Sequence, residues 1–422
     1  MNYLRKCLRA ILFLPFAALA ADFPDLPSGV QVDKALRSYP AVRAAAAGVQ
    51  VEDANRERLE AGPHEFTLTL GSQQRRERPQ DLRFRESEIG IERAIRLPGK
   101  AAKDAELGAA GVEQAGFALG DALHESARLL LGRWFEWQRE LAAAREWTAQ
   151  VELLRAQHQA VLKKVGAGDT AQLEALLSAA QLAQAEAQLA QAEARQDAVA
   201  VELGQHFPAI TLPARIAPAT PQSVDDSPAA LALWRERILA HNHELAVARS
   251  AARRGQLLAQ RADAERLPDP TVGLRLGSER DGQERIFGVQ LSIPLPGAAR
   301  AAGARAGNAE ATAGAAREAL VLTRVEVEAR RSVGLARSHY TQWLRLADVA
   351  ARMEDNARLL DKAWRLGEGQ FNDLQQARRQ AIEARLAAVR AQLDANEARY
   401  RLLLDAHELW DIEVAGADEA PR

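Results

Sequence analysis

The sequence predicts a mainly α chain with a small β part, built from long antiparallel helical hairpins and four strands. Three observations predict it. Of the 422 residues, 47% are hydrophobic but only 5% are aromatic, and much of the apolar fraction is alanine. Alanine favours helices that pack closely over a thick core of large side chains. Beyond Pro15, prolines fall at 24–98, 208–296 and 421, leaving 99–207 and 297–420 free. Interior proline costs a helix about 3 kcal/mol, so each gap permits long helices. Finally, short runs such as Phe66, Leu68 and Leu70 alternate with Thr67 and Thr69, the period of a strand that is apolar on one face.

The same numbers exclude several classes. With 55 basic against 57 acidic residues the chain has no basic excess to meet a nucleic acid. A single cysteine supports neither a disulfide framework nor a thiolate metal cluster. No run of about 20 apolar residues exists, so a helical membrane span is not expected. Phosphate loops, nucleophile elbows and paired catalytic carboxylates are missing from the sequence, so no enzyme activity and no cofactor are assigned.

Taken in order, residues 1–20 read as a secretory signal. Arg5, Lys6 and Arg9 lead into an apolar stretch from Ala10 to Ala21, and Ala18-Leu19-Ala20 offers a small-residue cleavage site. Cleavage there would also remove Cys7. The remainder reads as two repeats, 21–207 and 229–412, joined by a Pro-, Ala-, Ser- and Thr-rich linker at 208–228 and followed by a tail at 413–422. Val165–Leu173 (VGAGDTAQL) matches Leu366–Leu374 (LGEGQFNDL) at a shift of 201, and Ile89–Gly99 matches Phe287–Gly297 at 198. Gly71-Ser72 recurs as Gly277-Ser278 between them.

Each repeat is expected to hold a helix, a strand pair, a long helix, a tight turn and a return helix. The strand pairs fall within 65–97 and 270–295. Ile89 and Ile91, and Val289 and Leu291, sit on the apolar parity, while Phe84 and Arg93 break the phase. The charged stretches 73–85 and 278–285 read as hairpin loops in water. Lys100–Lys164 and Ala298–Arg365 each read as one long helix or two nearly continuous ones. Glycine pairs follow, Gly166/Gly168 and Gly367/Gly369, where a left-handed backbone can reverse the chain. Return helices are expected over 171–204 and 373–409, their alanine-rich seams including Leu173, Leu176, Leu177 and Ala180 in the first and Leu374, Ala377, Ala381 and Ala384 in the second.

Strands of about nine residues, apolar on one face, suit a membrane-spanning β-barrel. Four strands cannot close one, and an open edge in lipid leaves backbone groups unpaired, so the chain must associate. In this layout the chain resembles the TolC-like outer-membrane efflux proteins over essentially its whole mature length. The most specific motif is Val-Gly-(five residues)-Asp, present as Leu366, Gly367 and Asp373, and as Val165 and Gly166 with Gln172 in the acidic place. The resemblance implies a homotrimer in outer-membrane lipid, a twelve-stranded β-barrel continuous with a helical tunnel in the periplasm. It also implies a periplasmic adaptor docked at helix tips carrying Val165, Gly166, Gly168, Leu366, Gly367 and Gly369, and an inner-membrane RND-type pump behind it. Asp373 would then line a periplasmic gate, with Gln376 and Gln172 at two further positions of the ring. Leu97-Pro98-Gly99 and Leu295-Pro296-Gly297 look most like the CzcC-like heavy-metal branch, whose cargo is metal cations.

Plainer readings stand beside these. Asp373 also fits an ordinary first-turn acid facing the helix dipole, and the glycines fit simple turns. The eight histidines show no i, i+4 pair and read as surface residues rather than metal ligands. Trp134, Trp137, Trp147, Trp343 and Trp364 read as helix packing. A periplasmic adaptor would carry one hairpin rather than two, and a secreted coiled-coil scaffold would leave four phased strands without a purpose.

Overall fold

The computed structural model describes residues 23–410 apart from 79, together with residue 412. The signal and Cys7 within 1–20 and the tail at 413–422 lie outside the described residues. The chain runs α1 (Gly29–Ser38), α2 (Pro40–Ala61), β1 (Phe66–Glu77), β2 (Leu82–Ala94), α3 (Pro98–Gly166) and α4 (Gln172–His206). After the linker the order recurs as α5 (Pro228–His241), α6 (His243–Ala264), β3 (Thr271–Glu279), β4 (Glu284–Ser292), α7 (Ala298–Arg365) and α8 (Phe371–Asp405). Among the described residues no helix is long and apolar enough to cross a membrane.

α3 and α7 are single unbroken helices of 69 and 68 residues, each about 100 Å long. Pro98 occupies the first turn of α3, where its missing N–H costs nothing. α2 covers the strand-proximal part of α3, closely enough that a Cβ on Gly108 would lie 3.0 Å from the Arg56 Cα. α4 covers the distal part. Its seam consists of Ala175, Ser178, Leu182, Ala185, Leu189 and Ala192, all buried or half-buried. The alternating spacing of three and four is that of a coiled coil. Leu173, Leu176 and Leu177, expected in this seam, point away from it and are exposed. The small residues pack because they let the two backbones approach.

The largest core lies at mid-length, where Leu36, Leu130, Leu131, Trp134, Phe135, Leu203, Phe207 and Tyr400 meet. Asp25 clasps it. The Asp25 carbonyl accepts from Trp134 Nε1 at 2.8 Å and Gln138 Nε2 at 2.9 Å, and its carboxylate accepts from the Tyr400 hydroxyl at 2.7 Å.

The strands form one antiparallel sheet in the order β1-β2-β3-β4. Both hairpins reach further toward their turns than the sequence suggests and stop short of the expected span at the other end, at Ala94 and Ser292, leaving Ile95, Leu97, Ile293 and Leu295 outside the strands. β1 runs to Glu77 and β2 begins at Leu82, so most of the stretch expected as a charged loop at 73–85 is strand. Charge reads as loop in isolation, but here it pairs across strands. Gln73 Nε2 donates to Glu86 at 2.8 Å, and Arg75 lies 3.2 Å from the same carboxylate. Likewise β3 and β4 enter 278–285, leaving a 3-10 turn at Arg280–Gly282.

Candidate functional site

The register aligns the apolar parity of all four strands. Leu68 faces Ile91, Ile91 faces Leu274 and Leu274 faces Val289; one step along, Leu70, Ile89, Leu276 and Phe287 form the next row. Directly opposed residues share a face, so these rows make one continuous apolar surface. Leu291 joins it opposite Val272. The intervening rows, such as Thr69, Gly90, Arg275 and Gly288, place small and polar residues on the other face. The band is exposed, with Phe287 and Val289 at 69% and 68% accessibility. Within β4 it runs from Phe287 to Leu291, four residues or about 13 Å at strand rise, and just beyond the strand's end at Ser292 the exposed Ile293 and Leu295 add further apolar surface. Arg93 falls in this band, and its guanidinium lies over the Phe66 ring at 4.8 Å while its Nε donates to the His64 carbonyl.

A buried ionic joint ties the sheet to the helices. Lys100 Nζ lies 3.0 Å from Asp269 and 3.3 Å from Glu265, and Arg261 and Arg96 both reach Asp104. Burial pushes the Asp269 carboxyl upward, but the bonds from Lys100, the Leu97 N–H and His64 outweigh it and hold the group below its ordinary range. Ala298 stands where Lys100 does in the other repeat, so only one repeat carries this cage.

At the far end the two hairpin turns lie side by side over a shared core of Val161, Ala175, Trp364, Phe371 and Leu374, with Val165 packed against it. Lys164 Nζ sits 4.2 Å over the Trp364 ring, joining the first hairpin to the second. Below it the buried Arg378 of α8 reaches both Gln157 of α3 and Asp361 of α7. The turns share one geometry. In the first, the Gly168 and Asp169 N–H groups donate to the Val165 and Lys164 carbonyls; in the second, Gly367 and Glu368 donate to Trp364 and Ala363. This is a Schellman closure, with the left-handed position at Gly168 and Gly367, both at φ 80°.

That geometry corrects the sequence alignment. The left-handed glycines are 199 residues apart, not 201, and α4 and α8 begin at Gln172 and Phe371 with the same shift. Gly166 is the last helical residue of α3, Leu366 caps α7 and is exposed, and Gly369 is needed because a Cβ there would lie 3.0 Å from the Trp364 nitrogen. Gln172 therefore does not occupy the place of Asp373. Glu174 does, each being the third residue and the first-turn acid of its helix. Asp373, Gln376 and Gln172 are all exposed. Counting from the second glycine of the first pair would have revealed Glu174 in the sequence.

A second feature escaped the sequence. His124 is buried, and its ring gathers with those of His241, His243 and His407 from other elements. A test for i, i+4 spacing looks along one helix and misses such a meeting. Trp134, Trp137 and Trp364 are buried in helix packing.

The sequence matches no family profile and no curated protein. The fold matches solved outer-membrane channels along nearly the whole chain. Similarity to the CmeC outer membrane channel of Campylobacter jejuni covers 91% of this chain and 86% of that one, with TM-score 0.74 and 12% identity. For CusC, whose structures concern transmembrane channel formation, the figures are 96% and 98%, TM-score 0.76 and 12% identity. The outer-membrane channel OprN gives 90% and 89%, TM-score 0.74 and 18% identity. The chain thus has the fold of this channel class: long helical hairpins carrying a small antiparallel sheet.

Proposed function

We propose that this chain is the outer-membrane duct of a tripartite efflux system, a passive conduit rather than an enzyme. Three copies supply twelve strands, and their helices prolong the cylinder into the periplasm. The observation that carries this reading is the continuous apolar face of a sheet whose outer strands, β1 and β4, have no partner among the described residues. In lipid such edges must be paired, and association of like sheets pairs them all. The exposed Leu173, Leu176 and Leu177 of α4 supply apolar surface for contact between neighbouring copies. A soluble scaffold reading leaves the apolar face without a purpose.

The two turns are the docking tips for a periplasmic adaptor, which links the duct to an inner-membrane RND-type pump. Their proximity and shared core support this role, because both would be presented together. Asp373 and Glu174 form the acidic ring at the periplasmic entrance, two carboxylates per chain. The Leu-Pro-Gly segments favour heavy-metal cations as cargo, selected by the pump. Reconstitution in planar bilayers tests the duct: discrete, long-lived conductance steps are expected from purified protein. Insertion without conductance would overturn the proposal.

A further inference from the structure

Four histidines from three distant stretches of the sequence meet at mid-length of the molecule. His124 comes from α3, His241 ends α5, His243 opens α6 and His407 follows α8. The His124 and His407 rings stack with centroids 5.3 Å apart; His407 lies 5.0 Å from His243 and 5.6 Å from His241. Three of them, with Gly120, Leu404 and Trp410, line a cavity of about 10 Å³, room for about one water. Packing is tight enough to exclude a side chain at Gly120, where a Cβ would lie 2.5 Å from His243 Nδ1. His407 holds a left-handed backbone at φ 58°, with its N–H bonded to the Leu404 carbonyl. Among the described residues no three His, Cys, Asp or Glu side chains are arranged to hold a metal ion.

We infer that this histidine cluster forms an acid-responsive joint: with His124, His243 and His407 neutral it packs the α5–α6 elbow and the end of α8 against α3, and their protonation releases both. The charges around them give an added proton little compensation. On α3, Arg128 pairs with Asp405 of α8 at 2.8 Å and with Glu125, so both carboxylates nearest His124 are already engaged. Asp405 lies 3.7 Å and Glu125 4.0 Å from the His124 ring nitrogens. Farther out, Glu244 of α6 pairs with Arg324 of α7, and Glu408 with Arg237 of α5. Asp121 of α3, Glu328 of α7 and Arg401 of α8 complete the ionisable surroundings. The His124 Nε2 faces the Leu404 carbonyl at 3.3 Å, and since a carbonyl only accepts, the neutral ring carries its proton there.

Burial, then Arg128 and His407, push His124 down to about 3; burial, then His243 and His241, push His407 down to about 4. Burial and His241 lower His243 as well. In an opened joint His124 and His407 bind protons near the ordinary histidine value of 6.5, while in the closed joint they resist them to about 3 and about 4. Closure therefore weakens as pH falls from 6.5 toward 4 and is fully favoured above 6.5. Asp405 and Asp121 act oppositely, because burial raises them and the closed form takes their protons more readily.

Hydrogen exchange of the full chain in detergent micelles, corrected for intrinsic rates, tests this without relying on the channel reading. From the His407 shift alone, opening at 231–247 and 400–410 should increase about 30-fold from pH 7.5 to pH 5, with the tip segment 345–360 unchanged. The H124Q/H407N variant should lose this increase. Equal protection at both pH values, or the same increase in the variant, would overturn the joint. Should the variant not fold, the wild-type profile decides: an increase confined to the two segments supports the inference, and a uniform one defeats it.

Discussion

The sheet and the helical body treat apolar side chains in opposite ways. In the α3–α4 hairpin the most buried positions of α4 are small, such as Ala175, Ala185 and Ala192, and most of its polar and charged side chains lie outside. In the sheet the large side chains Phe66, Leu70, Phe287 and Leu291 are the exposed ones, and the small residues Gly90, Gly273 and Gly288 face the other way. One end of the molecule is thus built for an apolar surrounding and the other for water. The difference teaches that composition, averaged over the chain, hides two solvents.

Reversing polarity in the sheet should have the largest effect. Leu274→Arg, in the middle of the apolar face, should cost about 2–4 kcal/mol of folding into lipid vesicles. Arg275→Leu on the opposite face should cost far less. Equal effects would mean that the two faces are not distinguished by lipid. In the helical body the expected largest effect is at Arg378. Arg378→Ala leaves Asp361 its second partner Arg365 but takes the donor from the buried Gln157 Oε1, and should cost about 1–3 kcal/mol in denaturant unfolding, whereas replacing Gln157 as well with an apolar residue should recover part of it.

The turns give intermediate effects and sharpen the register. Gly168→Ala and Gly367→Ala place a Cβ in a left-handed conformation and should each cost about 1–2 kcal/mol. Gly166→Ala, at a helical position, should instead stabilise by up to about 1 kcal/mol. A penalty at Gly166 would restore the alignment at a shift of 201. Smallest in stability are Glu174→Gln and Asp373→Asn, each forfeiting about 0.3–1 kcal/mol of helix-dipole interaction. Both should lower cation preference in single-channel recordings by similar factors. An effect from Asp373 alone would separate the two carboxylates.

Much of the fold was legible because its determinants are local. Gly297 and Gly367 bracket a proline-free run, and α7 fills it as a single helix. The period-two runs at 66–70 and 287–291 marked strands because one face had to be apolar. What escaped depends on partners distant in sequence. The charged ends of β1 and β2 are ordered by cross-strand pairs such as Gln73 with Glu86. Leu173, Leu176 and Leu177 of α4 read as a seam because leucine is the usual seam residue, yet the positions that face α3 start at Ala175 and Ser178 and include leucine only at Leu182 and Leu189. Glu174 was hidden by pairing the first glycine of each motif, when the backbone uses the second in one turn and the first in the other.

Outer-membrane fractionation followed by native mass measurement of the detergent-extracted protein decides whether the chain is a trimeric duct. Recovery in the outer membrane as a particle three chains in mass is expected. Recovery as a soluble monomer from the periplasm would contradict it.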